Sequence, residues 1–488
     1  LIYRLTLHPY AKYPGPWLGK LTNIYAVYHA YRGDVHRDVE QCHKKYGKLF
    51  NPDCSTTLTL CGQIHIYGNG KKIKKAEGYK VHGSTNIIGI RDKSKYARYK
   101  KIFQQGFSDT MNREHEPKVG RVINTFIEKL GEIEDPEDAV GEWTNIKNMN
   151  LWCNWLTTDV VSTVVFTTSW DLLTSTTNRG VTECLKASVR IVGILHAWPF
   201  IPGHVITALI CLPHIAWSIQ GLERYADAVI KSSTEARVRD PSIKDVFGMF
   251  TAAKDPDTGD LALSKGTVQE NTATFIVAGS DTTASSLSAT FFYLARNPAA
   301  YAKVAEEIRS AFPSASSICA GSALNNCVYM RAAITESMRL SPVAPQPLMR
   351  EAEAGCIVDG EHIPTGLKVA SSIYSLQQNP AVFPQPYKWD MTRWLIDPSK
   401  DAREEKERIK EISKSFAPFS VGPRQCIAKN FALMELYLTM ATVFWKLDFE
   451  SAGNLGEGRD GEFMMKSYFT AFMEGPLLRF RKREGAEW

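Results

Sequence analysis

The feature that most constrains this chain is a helical run at 267–297 with a polar break near its middle. Apolar residues recur along it with helical spacing. At ~1.5 Å per residue it would measure ~46 Å, enough to cross a whole domain. Within it lies TFIVAGSDTTASS, residues 274–286. Gly279 in mid-helix costs about 1 kcal/mol against alanine, and the weak helix formers Asp281, Thr282 and Thr283 follow it. That concentration predicts a helix locally opened, with threonine side chains bonded to backbone carbonyls and a groove left beside them. The plain alternative is a polar patch facing solvent.

Most of the remaining chain has helical period as well. Segments near 33–48, 95–108, 115–133, 151–167, 181–194, 215–235, 299–311, 324–340 and 428–446 read as helices. Short strands are expected at 346–374, with turns at Asp359-Gly360 and Thr365-Gly366. A hairpin around Gly62 is expected at 55–67, and another at 462–482. The charged run DPSKDAREEKERIKE, 397–411, reads as a solvated surface segment within a loop-rich stretch. Helices dominate and the small sheets are segregated, an α+β pattern. With 488 residues, 44% of them hydrophobic, the chain can bury a large core.

Charge and cysteine usage exclude several functions. The 58 basic and 52 acidic residues are spread along the chain, and no basic tract is interleaved with aromatics. Nucleic acid is therefore not an expected partner. Ten scattered cysteines without a CxxC pair indicate reduced thiols, not a disulfide framework. No uninterrupted apolar stretch of ~20 residues could span a bilayer. The first residues, LIYRLTLHPYAKYPGPW, lead from apolar positions into a proline-rich hinge. They read either as the connector behind a trimmed anchor or as an ordinary coil.

One cysteine stands apart. In FAPFSVGPRQCIAKNFALMEL, residues 416–436, Cys426 sits where a Gly/Pro loop meets an apolar helix. Free cysteines are ordinarily buried. A helix N-terminus, however, presents unpaired N–H groups and the positive end of the dipole, which favour a thiolate. A thiolate nucleophile needs a positioned base, and no histidine occurs between 363 and 488. A metal-ligating thiolate needs room for a cofactor. Gly422 permits a close backbone approach, Phe419 can lie against the group, and Arg424 can reach an anion on it.

The string FSVGPRQC, 419–426, resembles the haem-binding signature FxxGxRxC of the cytochromes P450. The resemblance implies Cys426 as the axial thiolate of haem b, with Phe419 and Gly422 shaping the loop and Arg424 on a propionate. Ala428 stands where the family usually has glycine. The family pattern (A/G)Gx(D/E)T(T/S) is matched in full by Ala278, Gly279, Ser280, Asp281, Thr282 and Thr283. By resemblance, Asp281 and Thr282 are the catalytic pair that manages proton delivery to dioxygen. Glu336 and Arg339 match ExxR, and Arg393 matches the later arginine that pairs with it, a structural set. Arg350 matches a propionate-binding arginine. Tyr96 and Lys100 occupy the positions of the family's WxxxR.

These motifs run in the family's order, and the N-terminal hinge resembles that of microsomal, especially fungal, members. The resemblance implies a mainly α (α+β) fold: one catalytic domain over 1–488, with 1–20 as a membrane-proximal hinge and small antiparallel sheets. It places haem between the long helix and the cysteine loop. It implies a monooxygenase fed by NADPH through a cytochrome P450 reductase, at the cytosolic face of the endoplasmic reticulum, with its anchor absent from this chain. Apolar clusters at 84–90, 191–217, 343–349 and 467–470 correspond to the family's pocket roof. The proline-broken segment 191–217 suggests contact with a membrane surface and a lipophilic substrate, and fungal secondary metabolism is the analogy. The competing readings are an oxygen-independent haem-thiolate isomerase or dehydratase, and a non-enzymatic haem sensor. An intact Asp281-Thr282 pair speaks against the first, and the lack of a visible output domain against the second.

Overall fold

The computed structural model describes residues 2–53, 56–59, 63–137, 139–197, 213–458 and 460–486. Among the described residues, eleven helices reach twelve residues or more. They are α1 Val35–Tyr46, α2 Lys93–Gln105, α3 Asp109–Leu130, α4 Met149–Phe166, α5 Gly180–Ala197, α6 Pro213–Arg239, α7 Lys265–Ala295, α8 Pro298–Ala311, α9 Val328–Leu340, α10 Ala402–Ser413 and α11 Lys429–Lys446.

Helix α7 is the axis of the molecule. Ser264 caps it by accepting a hydrogen bond from the Thr267 N–H at 3.2 Å, which satisfies one of the donors a helix start leaves open. Helix α4 is apolar on nearly every face and lies buried along it. Gly279 marks their crossing: a Cβ there would stand 2.6 Å from Val161 Cγ2. The glycine is therefore required by close approach of two helices. The expected opening of the backbone does not occur, since α7 is helical from end to end. The threonine part of the expectation holds, because Thr282 Oγ1 donates to the Ala278 carbonyl at 2.8 Å.

The sheets are small and peripheral. A five-stranded sheet has the order β1 Leu49–Asp53, β2 Thr56–Thr59, β8 Lys368–Ala370, β5 Arg350–Ala352 and β3 Ile73–Lys75. Within it, β2 and β8 run parallel and the other pairs antiparallel. Two short strands, β6 Cys356–Val358 and β7 Glu361–Ile363, form a hairpin across Asp359-Gly360, both at positive φ. The strands β4 Lys147–Asn148, β9 Leu447–Ser451 and β12 Leu477–Lys482 form a three-stranded sheet. The strands β10 Met465–Ser467 and β11 Ala471–Met473 form a hairpin of their own.

Three expectations are corrected. The segment at 55–67 is not one hairpin: β2 pairs back to β1, while Gln63–Tyr67 is a helical turn. Its supposed turn at Gly62 lies outside the described residues. The run 397–411 is not merely a solvated loop. Asp401 caps α10 through the N–H groups of Arg403 and Glu404, and Glu405 and Ile412 are buried beneath it. Arg408 then bonds the Arg393 and Leu395 carbonyls at 2.8 and 2.9 Å. The C-terminal 462–482 splits between two sheets, because β12 leaves the hairpin to pair with β9. Of the segment 191–217, residues 198–212 lie outside the described residues.

Candidate active site

The loop before α11 turns on a glycine. Gly422 has φ +76, and a Cβ on it would fall 1.9 Å from the Tyr67 carbonyl oxygen. No side chain fits there. The Cys426 N–H closes the loop onto the Phe419 carbonyl at 3.0 Å. The Phe419 ring is half-buried against the main core. Ala428 forms the N-cap of α11. Burial pushes the Cys426 thiol up, while the Ala428 N–H and the Lys429 charge draw it back. The thiol is exposed to a water-sized sphere and yet desolvated by surrounding protein. A side chain set in a recess of the protein has both properties. The alanine in place of the usual glycine leaves its backbone N–H directed at the sulfur.

Near this recess stand basic side chains that form no ion pair with a carboxylate among the described residues. Arg424 stacks its guanidinium 3.5 Å from the Tyr96 ring centroid and donates to the Ile90 carbonyl at 2.8 Å. Tyr96 Oη and Lys100 Nζ both donate to the Pro423 carbonyl, at 3.2 and 2.9 Å. Arg350, 5% exposed, donates to the Met349 carbonyl and to Tyr79 Oη. Lys75, 8% exposed, lies directly opposite Arg350 across the β3–β5 pair. Like charges in that position destabilise a sheet. Burial and the neighbouring Arg350 bring Arg424 down to about 10, and Lys75 is lowered by burial, Arg350 and Arg424 together. A buried charge needs a partner. Here three basic side chains crowd one another, and an anionic group beside them would relieve the crowding. A haem with two propionates, seated on the Cys426 sulfur, supplies such a group, so the residues present fit the cofactor.

Helix α7 carries the second motif. Ala278 and Thr282, one turn apart, keep accessible surface on a helix otherwise largely buried. Asp281 points elsewhere. Its carboxyl is fully enclosed, pushed up to about 6 by burial, and held back by a hydrogen bond from Thr470 Oγ1 and by the charge of Lys186. Lys186, on α5, donates to Asn150 Oδ1 at 2.9 Å. The acid and the alcohol are therefore neighbours in sequence with separate anchorages, one on the β10–β11 turn and one on its own helix.

Below the loop, Glu336 gathers the structural set. Arg339 grips it with two bonds of 2.9 Å, and Arg393 Nε adds a third at 3.2 Å. Trp394 Nε1 and the Asp390 N–H complete its coordination at 2.9 and 3.0 Å. Glu336 and Arg339 are wholly buried.

A helical domain, a thiol set in a recess and basic side chains near it define a thiolate-held haem site. A family model for cytochrome P450 matches residues 9–466. The cytochrome P450 monooxygenase poxM of Penicillium oxalicum is 37% identical over 490 residues, covering 99% of this chain and 92% of that protein. The cytochrome P450 monooxygenase atnE of Emericella nidulans is 36% identical, covering 99% and 94%. AKT7 of Alternaria alternata, a cytochrome P450 monooxygenase, is 34% identical, covering 99% and 94%. The chain belongs to the cytochrome P450 family, and it is a haem-thiolate monooxygenase.

Sequence reasoning missed Lys75, Tyr79, Lys186 and the individual part of Thr470. For Lys75 a signal existed. In Ile73-Lys74-Lys75 a strand places the first and third residues on one face, and both are buried. Thr470 and Lys186 carry no local mark, because their partner Asp281 is remote in sequence.

Proposed function

We propose that this monooxygenase oxidises a lipophilic small molecule, by hydroxylation, epoxidation or oxidative coupling, with electrons from NADPH passed through a cytochrome P450 reductase. Fungal secondary metabolism is the setting we infer, in view of its fungal relatives. The observation that carries the reading is the Cys426 thiol, accessible yet desolvated by protein at the start of α11, two residues after Arg424. When bound, haem b supplies the redox chemistry that activates dioxygen.

The protein's own residues do the rest. Arg350, Arg424 and Lys75 would hold the carboxylates of the cofactor, with Tyr96 and Lys100 bracing the loop through Pro423. Phe419 and the Ala428 N–H set the environment of the sulfur. Asp281, raised to about 6, exchanges a proton near neutral pH. Thr282 Oγ1, anchored to Ala278, presents a hydroxyl to pass it on.

Attachment to the cytosolic face of the endoplasmic reticulum is part of this reading. It draws on the exposed apolar residues Ile2, Leu7, Trp17 and Ile24, which are suited to a lipid surface. Among the described residues, no helix is long and apolar enough to cross a membrane. The test is NADPH oxidation by the holoenzyme with a fungal reductase under labelled dioxygen. Reductase-dependent turnover with label in the product or in water supports the reading. Turnover of a hydroperoxide without reductase or dioxygen would instead restore the isomerase alternative.

A further inference from the structure

An open trough of about 1030 Å³ runs along one face of α10. The start of α9, the loop at Val382–Pro384 and the chain that follows the 3₁₀ helix Met391–Trp394 form its other sides. Neither Cys426, Ala278, Thr282 nor any basic side chain assigned above to the cofactor lines it. The sequence of α10 prepares this face. Glu405, Ile409 and Ile412 recur at helical spacing, in a helix whose other residues are mostly charged. Arg408 ties the helix down, bonding the Arg393 and Leu395 carbonyls with Glu405 behind it. Ile409 and Ile412 then share an apolar lining with Val328, Tyr329, Phe383 and Leu395. Two apolar lining residues, Val328 and Ile396, stay 48% and 44% exposed, so the trough offers apolar surface to a ligand.

The charges along the trough are answered with one exception. Arg408 meets Glu405 at 2.8 Å, Arg393 meets Glu336 at 3.2 Å and Lys400 meets Asp397 at 3.6 Å. Lys303, on α8, also lines the trough and has no carboxylate partner among the described residues. Its ammonium lies 5.7 Å from the Tyr329 ring centroid. The Tyr329 hydroxyl makes no hydrogen bond among the described residues either. An ammonium and a phenol, both free to donate, therefore stand together at one side of an apolar lining. That pairing suits an anion carried on an apolar body. Three aromatic side chains, Tyr329, Phe383 and Trp394, favour a flat one. The volume matches that of sites for drug-sized molecules, ~300–1,000 Å³.

We propose that this trough is a second ligand site, separate from the haem site, which binds an aromatic carboxylic acid. The aromatic body lies against Val328, Phe383, Leu395 and Ile409. The carboxylate meets Lys303 Nζ, with Tyr329 Oη as a further donor. The other trough cations are already neutralised, so Lys303 sets the preference for an acid over a neutral molecule of the same shape. The site borders the closed cluster around Glu336. Trp394, which lines the trough, donates to Glu336 at 2.9 Å, and its ring centroid lies 4.9 Å from that of Phe416, at the start of the cysteine loop. A ligand here touches the scaffold of that loop and not the oxidising face.

The test is calorimetry and photolabelling of the haem-loaded protein, with the iron-ligating azole clotrimazole added to fill the haem site. Benzophenone-4-carboxylic acid is the probe and its methyl ester the control. Irradiation should crosslink the acid to peptides that contain Val328 and Tyr329 or residues 395–412. The acid should bind about three- to fivefold more tightly than the ester, the size expected of an exposed ion pair. Salt at about 1 M should erase that difference. Lys303→Met should remove the preference and leave ester binding unchanged. Val328→Asp places a like charge in the trough, at a helix start that suits a carboxylate, and should weaken the acid more than the ester. Lys303 and Val328 are both exposed, so both variants keep the fold. No saturable heat with clotrimazole present, crosslinks confined to other peptides, or an acid preference that survives Lys303→Met would each overturn the proposal.

Discussion

Two buried clusters of charge in this molecule have opposite designs. Around Glu336 every charge is answered. Arg339 and Arg393 meet one carboxylate, and Trp394 and the Asp390 backbone fill its remaining acceptor sites. Around Arg350, among the described residues, no carboxylate answers the charge. Lys75 stands opposite it in the sheet and Arg424 nearby, and the oxygens they reach are carbonyls and phenols. The first cluster closes on itself and belongs to the fold. The second calls for an external anion and belongs to the function. Burial alone does not separate the two kinds of site, but the sign of the neighbouring charge does.

The largest effect should come from breaking the closed cluster. Glu336→Ala leaves two buried guanidinium groups uncompensated, at a cost of about 3–5 kcal/mol. Denaturant titration of the apoprotein should show most of its stability gone. At the active site, Asp281→Asn removes a proton donor rather than a structural charge. Coupled turnover should fall about 10²-fold, with NADPH oxidation diverted to hydrogen peroxide and the fold unchanged by circular dichroism.

Lys75→Met divides the two designs most cleanly. It relieves a like-charge pair in β3–β5, so the apoprotein should melt no lower than the parent. Haem transfer to an acceptor protein should nonetheless be about tenfold faster. A destabilised apoprotein with unchanged haem transfer would place Lys75 with the fold. The smallest effect is expected of Thr470→Val. The Thr470 hydroxyl lowers the Asp281 pKa against burial, so its loss raises that pKa further. A raised carboxyl keeps its proton to higher pH. The inflection near pH 6 in the ratio of peroxide to NADPH should therefore move upward, by less than about one unit. A downward shift would mean that Thr470 does not donate to the carboxylate.

How much of this was legible in the sequence depends on the range of the interactions. The cysteine loop was readable because its constraints are local. Gly422, Arg424 and Cys426 lie within five residues, and the tight turn, the cation and the thiol are each written there. Glu336 and Arg339 were readable as neighbours on one helix face. Gly279 was noticed for the wrong reason. Its cost was visible, but the demand comes from Val161 on another helix, which no local pattern contains. The Gln63–Tyr67 turn was misread because a short apolar run fits strand and helix equally. The charged helix α10 was underread because its docking depends on Arg408 reaching the Arg393 loop. Lys75 and Arg350 meet only when β3 pairs with β5, so their repulsion, and the anion it calls for, appears only in three dimensions.

The central claim is that the Cys426 sulfur holds the haem iron. The most direct measurement is the absorption difference spectrum of the dithionite-reduced protein with and without carbon monoxide, for the parent and for Cys426→Ser. The account predicts the strongly red-shifted Soret band of thiolate ligation in the parent and its complete loss in the variant. The same band surviving in Cys426→Ser would contradict it.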